Sequence, residues 1–360
     1  MTILFIVWIA IGWLAGWFAF ARIPFLKQKT MSLQSVPSIS IIIPARNEEK
    51  VLPKLLASIE KQTVRPKEVL VVDDDSEDGT QEIARQYGVS VLKNSQEAGG
   101  KASACWDGAE KATGEWLLFL DADTYFEAED SLERLARKFE ASGGTGIVSA
   151  QPYHETDHLH EQLSFVFNVV IMAGLNAFSI LGDTLRTGGA FGPSIMCTKE
   201  EYVKVKGHQG MEAGILDDVA LAKRFQEKGY PIELLGGKGT IAFQMFPEGF
   251  KQLVQGWSKD FATAARSTHP LILTSIVLWV SAGVGAGAAF QLLDQPFTSI
   301  VYALYLAQCI IFANRVGNFH FFVLFAYPIL FLFFLVLFAW SFIQTYVIRS
   351  VTWKGRKVKL

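Results

Sequence analysis

The fold can be read from three stretches: SISIIIPARNEE (38–49), EVLVVDDDSEDGT (68–80) and EWLLFLDADT (115–124). Each opens as a short apolar run, and each run stops at charged or turn-forming residues. That is the pattern of a strand buried on both faces, and it predicts strands over 38–44, 68–72 and 115–120. Helical patterns lie between them. Val51, Leu52, Leu55, Leu56 and Ile59 recur on one helix face. A second helix is expected to start at Asp78-Gly79-Thr80 and run to about Tyr87, and a third to cover 101–112, with a short strand over 89–92 before it. Strands alternating with helices of this length predict an α/β fold, a parallel sheet with helices on both faces.

In such sheets ligands collect beyond the carboxyl ends of the strands. The first strand runs out into Pro44, Ala45, Arg46, Asn47 and Glu48, the second into Asp73, Asp74 and Asp75, and the last into Asp121-Ala122-Asp123. Carboxylates gathered in one place repel each other unless a cation or donor group joins them. A divalent metal carrying a diphosphate meets that need, because Mg2+ and Mn2+ take one or two carboxylates together with phosphate oxygens. Lys101, after Gly99-Gly100, offers a point charge to phosphate. A cation at a helix start opposes the macrodipole, which points to an anion nearby. Plainer roles exist for some of these residues. Asp78 and Asp217 suit helix N-caps, and Asp121 suits a loop brace. His154, His158 and His160 lack the spacing of a zinc site and read as surface or acceptor-side residues. Cys105 and Cys197 read as small buried hydrophobes.

Charge is distributed unevenly along the 360 residues. Half are hydrophobic and only 19% are charged, against about 25% in a soluble domain, which points to segments in lipid. The same composition excludes disorder as the main state. A net charge of -2 without an aromatic–basic patch argues against nucleic acid as a partner. Residues 1–21 carry no charge and are followed by Arg22, Lys27 and Lys29. This reads as a retained anchor, because a signal peptide has a basic start and a shorter apolar core. The cations after the anchor place the adjoining domain in the cytoplasm, at the cell membrane. Further apolar segments cover 271–293, 298–313 and 319–348, the last containing Pro328, and a basic tail closes the sequence. A cytoplasmic tail requires an even number of crossings there, so one of the three is expected to be interfacial or re-entrant; the alternative is a tail on the outside. The implied organisation is an anchor (1–22), a cytoplasmic domain (23–270), a membrane region (271–348) and a basic tail (349–360).

Four stretches, in this order, carry a family resemblance: IIIPARNEE (41–49), VVDDDSEDGT (71–80), GGKASACWDGAEKATGEWLLFLDADT (99–124) and ILDDVALAKRFQEKGY (215–230). They resemble the family-2 inverting glycosyltransferases, which implies a Rossmann-like GT-A nucleotide-sugar domain. The resemblance implies that Asp73 and Asp74 contact uracil and ribose, that Pro44, Ala45 and Glu48 line the nucleotide pocket, and that Lys101 lies near the nucleotide. Asp121-Ala122-Asp123 matches the family DxD, with Asp123 the implied ligand of Mg2+ or Mn2+. Asp217-Asp218 matches its acidic pair, with Asp218 the implied base. A UDP-sugar is the implied donor.

The acceptor is read from the second half. LSFVFNVVIMAGLNAFSI (163–180) is charge-free and reads either as a core helix or as a helix facing the bilayer near an acceptor entrance. The glycine-rich loop 187–192, with Gly189 and Phe191, allows close approach to a ligand. Residues 251–266 read as an amphipathic helix before the next apolar segment. Membrane members of the family carry Gln-x-x-Arg-Trp at this place. Here the residues are Leu253-Val254-Gln255-Gly256-Trp257, so Trp257 matches and the arginine does not, and Lys259 is the candidate replacement cation. The broken motif argues against a processive polysaccharide synthase. SAQPYH (149–154), AFGPSIMCTKEEYVKVKGH (190–208), FQMFPEGFKQLVQGWSK (243–259), NRVGNF (314–319) and VTWKGR (351–356) look like a subgroup that moves glucose from UDP-glucose to the carboxyl group of a C30 carotenoid acid. A lipid acceptor at the membrane bilayer is therefore expected. Diacylglycerol, a sterol-like lipid or a polyprenyl phosphate are the alternative acceptors, and a non-catalytic nucleotide-sugar-binding scaffold is the alternative of another class.

Overall fold

The computed structural model describes residues 2–26, 37–95, 99–211, 216–258, 265–348, 350–353 and 356–359. The chain divides into two compact units, one of residues 24–153 and 189–244, the other of 1–23, 154–188 and 245–360. The segments 154–188 and 245–270, expected within the soluble domain, thus fold with the apolar helices.

The first unit opens with β1 (Ile39–Ala45), α2 (Leu52–Glu60; α1 belongs to the other unit), β2 (Glu68–Asp73), α3 (Thr80–Gln86), β3 (Ser90–Lys93), α4 (Lys101–Lys111) and β4 (Trp116–Leu120). Each agrees with the expected element to within a residue or two. Then come β5 (Thr124–Phe126), α5 (Ser131–Ala141), β6 (Ile147–Gln151), the two-residue β7 (Tyr153–His154, whose second residue opens a segment of the other unit), β8 (Ser194–Thr198), α7 (Lys199–Lys204), α8 (Asp217–Glu227), β9 (Ile232–Gly236) and β10 (Ile241–Phe243). The main sheet has the order β3-β2-β1-β4-β8-β6-β9. The expected parallel arrangement holds for β3, β2, β1 and β4. β8, however, runs antiparallel to both β4 and β6, so the sheet is mixed. β5 and β10 pair antiparallel in a smaller sheet.

Period-two alternation explains why these runs are apolar throughout. Ile41, Ile43, Val71, Leu118 and Leu120 feed one core together with Leu52, Leu55, Leu56 and Ile59 of α2. Ile42, Leu70, Val72, Leu117 and Phe119 feed a second core on the opposite face with Cys105, Tyr202 and Phe225. Cys105, Cys197 and Cys309 are buried free thiols.

The other unit contains four helices long and apolar enough to cross a membrane among the described residues: Thr2–Ala19, Pro270–Leu292, Phe297–Val316 and Tyr327–Ile348. We number them α1, α10, α11 and α13; α9 is Phe250–Ser258, and α12 is the short Phe321–Phe325. The long apolar run 319–348 is therefore broken at Ala326, and Pro328 lies in the first turn of α13, where its missing N–H costs nothing. Gly12 and Gly16 let α1 approach α10 closely, since a Cβ at Gly12 would come 2.2 Å from the Ala282 Cβ. Gln308 of α11 joins the helices through polar contacts: its Oε1 accepts from Trp279 Nε1 at 2.9 Å, and its Nε2 donates to the Trp13 carbonyl at 2.8 Å. α6 (Phe165–Gly174) is a core helix, with Phe165, Val166 and Phe167 fully buried, so the bilayer-facing reading of 163–180 is corrected. Two short strands, β11 (Ser350–Trp353) and β12 (Arg356–Lys359), pair antiparallel near the C-terminus.

Candidate active site

Because β1, β2 and β4 are parallel, their carboxyl ends share one edge of the sheet. Ala45 lies opposite Asp73, and Asp121 follows the end of β4. Antiparallel β8 enters at the same edge, with Ser194 opposite Leu120, which brings the preceding Phe191-Gly192-Pro193 turn to Asp121. The Asp121 N–H donates to the Pro193 carbonyl at 3.2 Å.

The loops after β1 and β2 are laced together. Asn47 and Asp75 both sit in the left-handed region, at φ 53 and 64, where short polar side chains are tolerated. Asn47 Oδ1 accepts from the Glu77 N–H at 2.8 Å, and the Glu48 N–H donates to Thr80 Oγ1 at 2.8 Å. Asp78 is not the N-cap expected of it, because Gly79 takes that position; it braces the turn instead, accepting from the Thr80 N–H at 3.0 Å and the Glu49 N–H at 3.1 Å. Burial opposes its charge, but these hydrogen bonds hold its carboxyl below the usual range.

Asp73 and Asp74 have different surroundings. Asp73 Oδ2 accepts from Gln81 Nε2 at 2.8 Å, while Oδ1 is buried without a hydrogen-bond partner. Asp74 braces the neighbouring loop: Asn94 Nδ2 donates to Oδ1 at 2.8 Å and the Gly100 N–H donates to Oδ2 at 2.9 Å. Gly100 has φ 96, a conformation that favours glycine at this entry to α4. Pro44 and Glu48 are half-buried beside buried Ala45.

Lys101, the first residue of α4, makes a 2.6 Å ion pair with Asp121 Oδ1. Burial works against its charge, yet Asp121 first and Asp217 second raise its pKa well above the usual lysine range. The unfavourable position of a cation at a helix start is thus compensated within the protein. Asp217 and Asp218 form the first turn of α8. Asp218 Oδ1 accepts from the Val219 N–H at 2.8 Å and Oδ2 from the Gly192 N–H at 3.2 Å. Desolvation, helped by the neighbouring Asp217 charge, pushes the Asp218 carboxyl up to about 6, although Lys101 pulls the other way. Asp217 Oδ2 is buried without a hydrogen-bond partner.

Asp123 lies half-buried in the turn between β4 and β5. Two hydrogen bonds fix that turn: Thr124 Oγ1 donates to the Asp121 carbonyl at 2.7 Å, and the Gln244 N–H donates to the Asp123 carbonyl at 3.3 Å. Among the described residues no three His, Cys, Asp or Glu side chains form a metal cage. The donor set of Asp123, next to an Asp121 already held by Lys101, fits a cation that completes its sphere with phosphate oxygens and water.

Of the residues singled out from the sequence, Lys101, Asp121, Asp217 and Asp218 come together around Gly192. Phe191 is buried, and its N–H donates to Ser149 Oγ at 2.8 Å, so its side chain is part of the core. Gly189 is buried at the start of the same segment. Trp257 belongs to the other unit, stacked on Phe167 at 4.9 Å with Nε1 donating to Ser164 Oγ at 2.9 Å. Lys259 lies outside the described residues. The loss of the motif arginine has a packing reason: a Cβ at Gly256 would come 2.1 Å from the Phe246 ring. Leu253, at the glutamine position, is fully buried. His154 is also fully buried rather than on the surface, its Nδ1 paired with Asn168 Nδ2 at 2.8 Å, and burial depresses its pKa to about 3.

In the sequence Gly192 is one glycine of a loop; in the fold it has a specific place. A Cβ there would lie 3.0 Å from Lys101 Nζ and 3.4 Å from Asp218 Oδ2. Gly192→Ala is expected to displace the Lys101 ammonium by a few tenths of an ångström and slow turnover about tenfold with the fold intact, since sub-ångström misplacement at a reacting centre is costly. Steady-state kinetics with a thermal melt check this, and an unchanged rate would remove the significance of that approach.

Residues 40–187 match the family model for glycosyl transferase family 2. The chain is 35% identical over 362 residues to the 4,4'-diaponeurosporenoate glycosyltransferase of Staphylococcus aureus (strain bovine RF122 / ET3-1), covering 98% of this chain and 96% of that one. It is 35% identical over 345 residues to the protein of the same description from strain USA300, covering 93% and 92%. The chain belongs to glycosyl transferase family 2. Its fold is also that of a mannosyltransferase from Pyrobaculum calidifontis, solved in complex with GDP-Man and Mn2+, with a TM-score of 0.57 and 20% identity over 94% of this chain and 98% of that one. The sheet with its acidic edge is thus a GT-A glycosyltransferase domain.

Proposed function

We propose that this chain is a membrane-bound inverting glycosyltransferase that moves glucose from UDP-glucose to a lipid, with the carboxyl group of a C30 carotenoid acid as the leading acceptor. The observation that carries this reading is the convergence of Lys101, Asp121 and Asp218 around Gly192 at the carboxyl edge of the sheet. Near-full-length likeness to the staphylococcal carotenoid-acid enzymes supports the choice of acceptor. The four apolar helices suit a water-insoluble substrate, and the cations after the first of them favour a cytoplasmic catalytic domain.

In this reading the uridine lies against Pro44, Ala45 and Glu48. The unpartnered Asp73 Oδ1 accepts from the uracil N–H, and Asp74 acts by holding the loop at Gly100. Asp123 would hold Mg2+ or Mn2+ together with the diphosphate. When bound, the cation offsets the charge that develops on the leaving UDP. Lys101 adds a fixed positive charge at the same place. Asp218, held by the Gly192 N–H, takes the acceptor proton as the acceptor oxygen attacks the anomeric carbon from the face opposite the leaving group. One displacement of this kind turns an α-linked donor into a β-linked product. A carboxylate acceptor needs no proton removed, and Asp218 then orients it.

Purified protein incubated with UDP-glucose, Mn2+ and a diapocarotenoic acid is expected to release UDP and form a glucosyl ester detectable by mass spectrometry. No product with any lipid would refute the reading. Chelation by EDTA is expected to abolish transfer and added Mn2+ to restore it. Asp123→Ala is expected to raise the Mn2+ needed for half-maximal rate at least about tenfold. Transfer that persists in EDTA would remove the cation from the mechanism.

A further inference from the structure

The helical unit carries a groove of about 680 Å3, none of whose lining residues belongs to the acidic edge. Its floor and walls are apolar: Leu163 ahead of α6, Ala326 at the start of α13, and Ile329 and Leu330 in its first turns. One end is polar, formed by His158 and His160, whose rings lie 5.5 Å apart. His160 Nε2 is paired with the Phe246 carbonyl at 2.8 Å, which fixes its ring. His158 is exposed, with Nδ1 3.6 Å from the fully buried carboxylate of Glu161. That carboxylate accepts the N–H groups of Asp157 and His158, both at 2.7 Å, and so holds the loop that carries the imidazoles.

Two features select the occupant. The groove is continuous with the outward face of a membrane-length helix, where Ile329 is 64% and Leu332 53% exposed, so hydrocarbon from the bilayer reaches its side without crossing water. Its volume is in the range of built small-molecule sites, and its walls match a hydrocarbon chain. An imidazole N–H at that end can donate to an acid headgroup.

We propose that this groove binds the hydrocarbon chain of a long-chain carboxylic acid, with the carboxyl group toward the His158–His160 end. Taking that acid to be the acceptor rests on the proposed transferase activity, whereas the groove as a lipid-acid site does not.

The test uses the full chain in nanodiscs and cis-parinaric acid, a fluorescent polyene fatty acid, with energy transfer from tryptophan as the readout. Saturable binding is expected. Ala326→Phe and Leu163→Phe, which add bulk at two lining positions, are each expected to weaken binding about tenfold while Tm and UDP binding are unchanged. The His158→Ala/His160→Ala double variant is expected to bind acid and methyl ester equally, where the unaltered protein prefers the acid. Binding that does not saturate beyond that of empty nanodiscs would mean bulk lipid alone and would overturn the site. So would wild-type affinity in both filled variants. Saturable, groove-dependent binding together with no glucosyl transfer to any acid would leave the site standing and refute the acid as acceptor instead.

Discussion

Asp218→Asn is expected to lower glucosyl transfer to an alcohol acceptor about a thousandfold, within the range for loss of a general base, while UDP binding persists. The physical ground is the position of this carboxylate. It is half-buried beside Asp217, and its two oxygens take the Val219 and Gly192 N–H groups. Desolvation raises its pKa to about 6, so the unaltered enzyme should lose activity as the pH falls through that value. The asparagine variant should lack this acidic limb. Stability should move oppositely. In an unfolded chain the same carboxyl titrates near its ordinary value of 3.8, so between that pH and about 6 the folded state binds more protons. Stability contributed by this group therefore falls as the pH rises through the window. Asparagine carries no charge, so its Tm at neutral pH should equal or exceed that of the unaltered protein. Rates with an alcohol and with a carboxylic acid acceptor, measured from about pH 5 to 8, check both parts. A large loss with the alcohol and a smaller one with the acid would make Asp218 a base for the first and a positioning residue for the second. An unchanged rate with both would remove it from the site.

Lys101→Met is expected to cost about a hundred- to a thousandfold in turnover, comparable to the loss of one preorganised electrostatic contact. Its ammonium lies 2.6 Å from Asp121 and is also attracted by Asp217. Without it, three carboxylates at one edge of the sheet lose their protein cation. Lys101 now lowers the Asp218 pKa, so its removal should carry the acidic limb of the rate above about pH 6. Lys101→Arg keeps the charge but replaces a point donor by a planar fork, and should recover only part of the rate. The pH profile separates this role from a structural one. A Lys101→Met enzyme that is slow yet keeps its acidic limb near pH 6 would show that Lys101 is not in electrostatic contact with the base.

Much of the GT-A domain was legible because its signals are local. Apolar runs at β1, β2 and β4 alternate their side chains into two cores, and the acidic residues come directly after the strand ends. Strand direction is a different matter. The run at β8 reads equally well either way, and only its pairing with β4 and β6 fixes it antiparallel. That direction delivers Gly192 to Asp218, 26 residues away in sequence. The apparent defect at Gly256 was legible as a departure but not as a reason, because Phe246, whose ring occupies the space, carries no sequence signal for that contact.

Neighbouring residues alone were enough to define β1 to β4, α2 to α4, the family and the acidic strand ends, since periodicity and strand-end chemistry are short-range properties. Long-range packing assigned each charge its task. Asp73 keeps a buried oxygen without a partner while Asp74 is consumed in bracing Gly100, and His154 is enclosed while His158 faces outward. Adjacent residues of one type acquired different roles because hydrogen-bond partners and burial come from segments distant in the chain, and no local pattern encodes them.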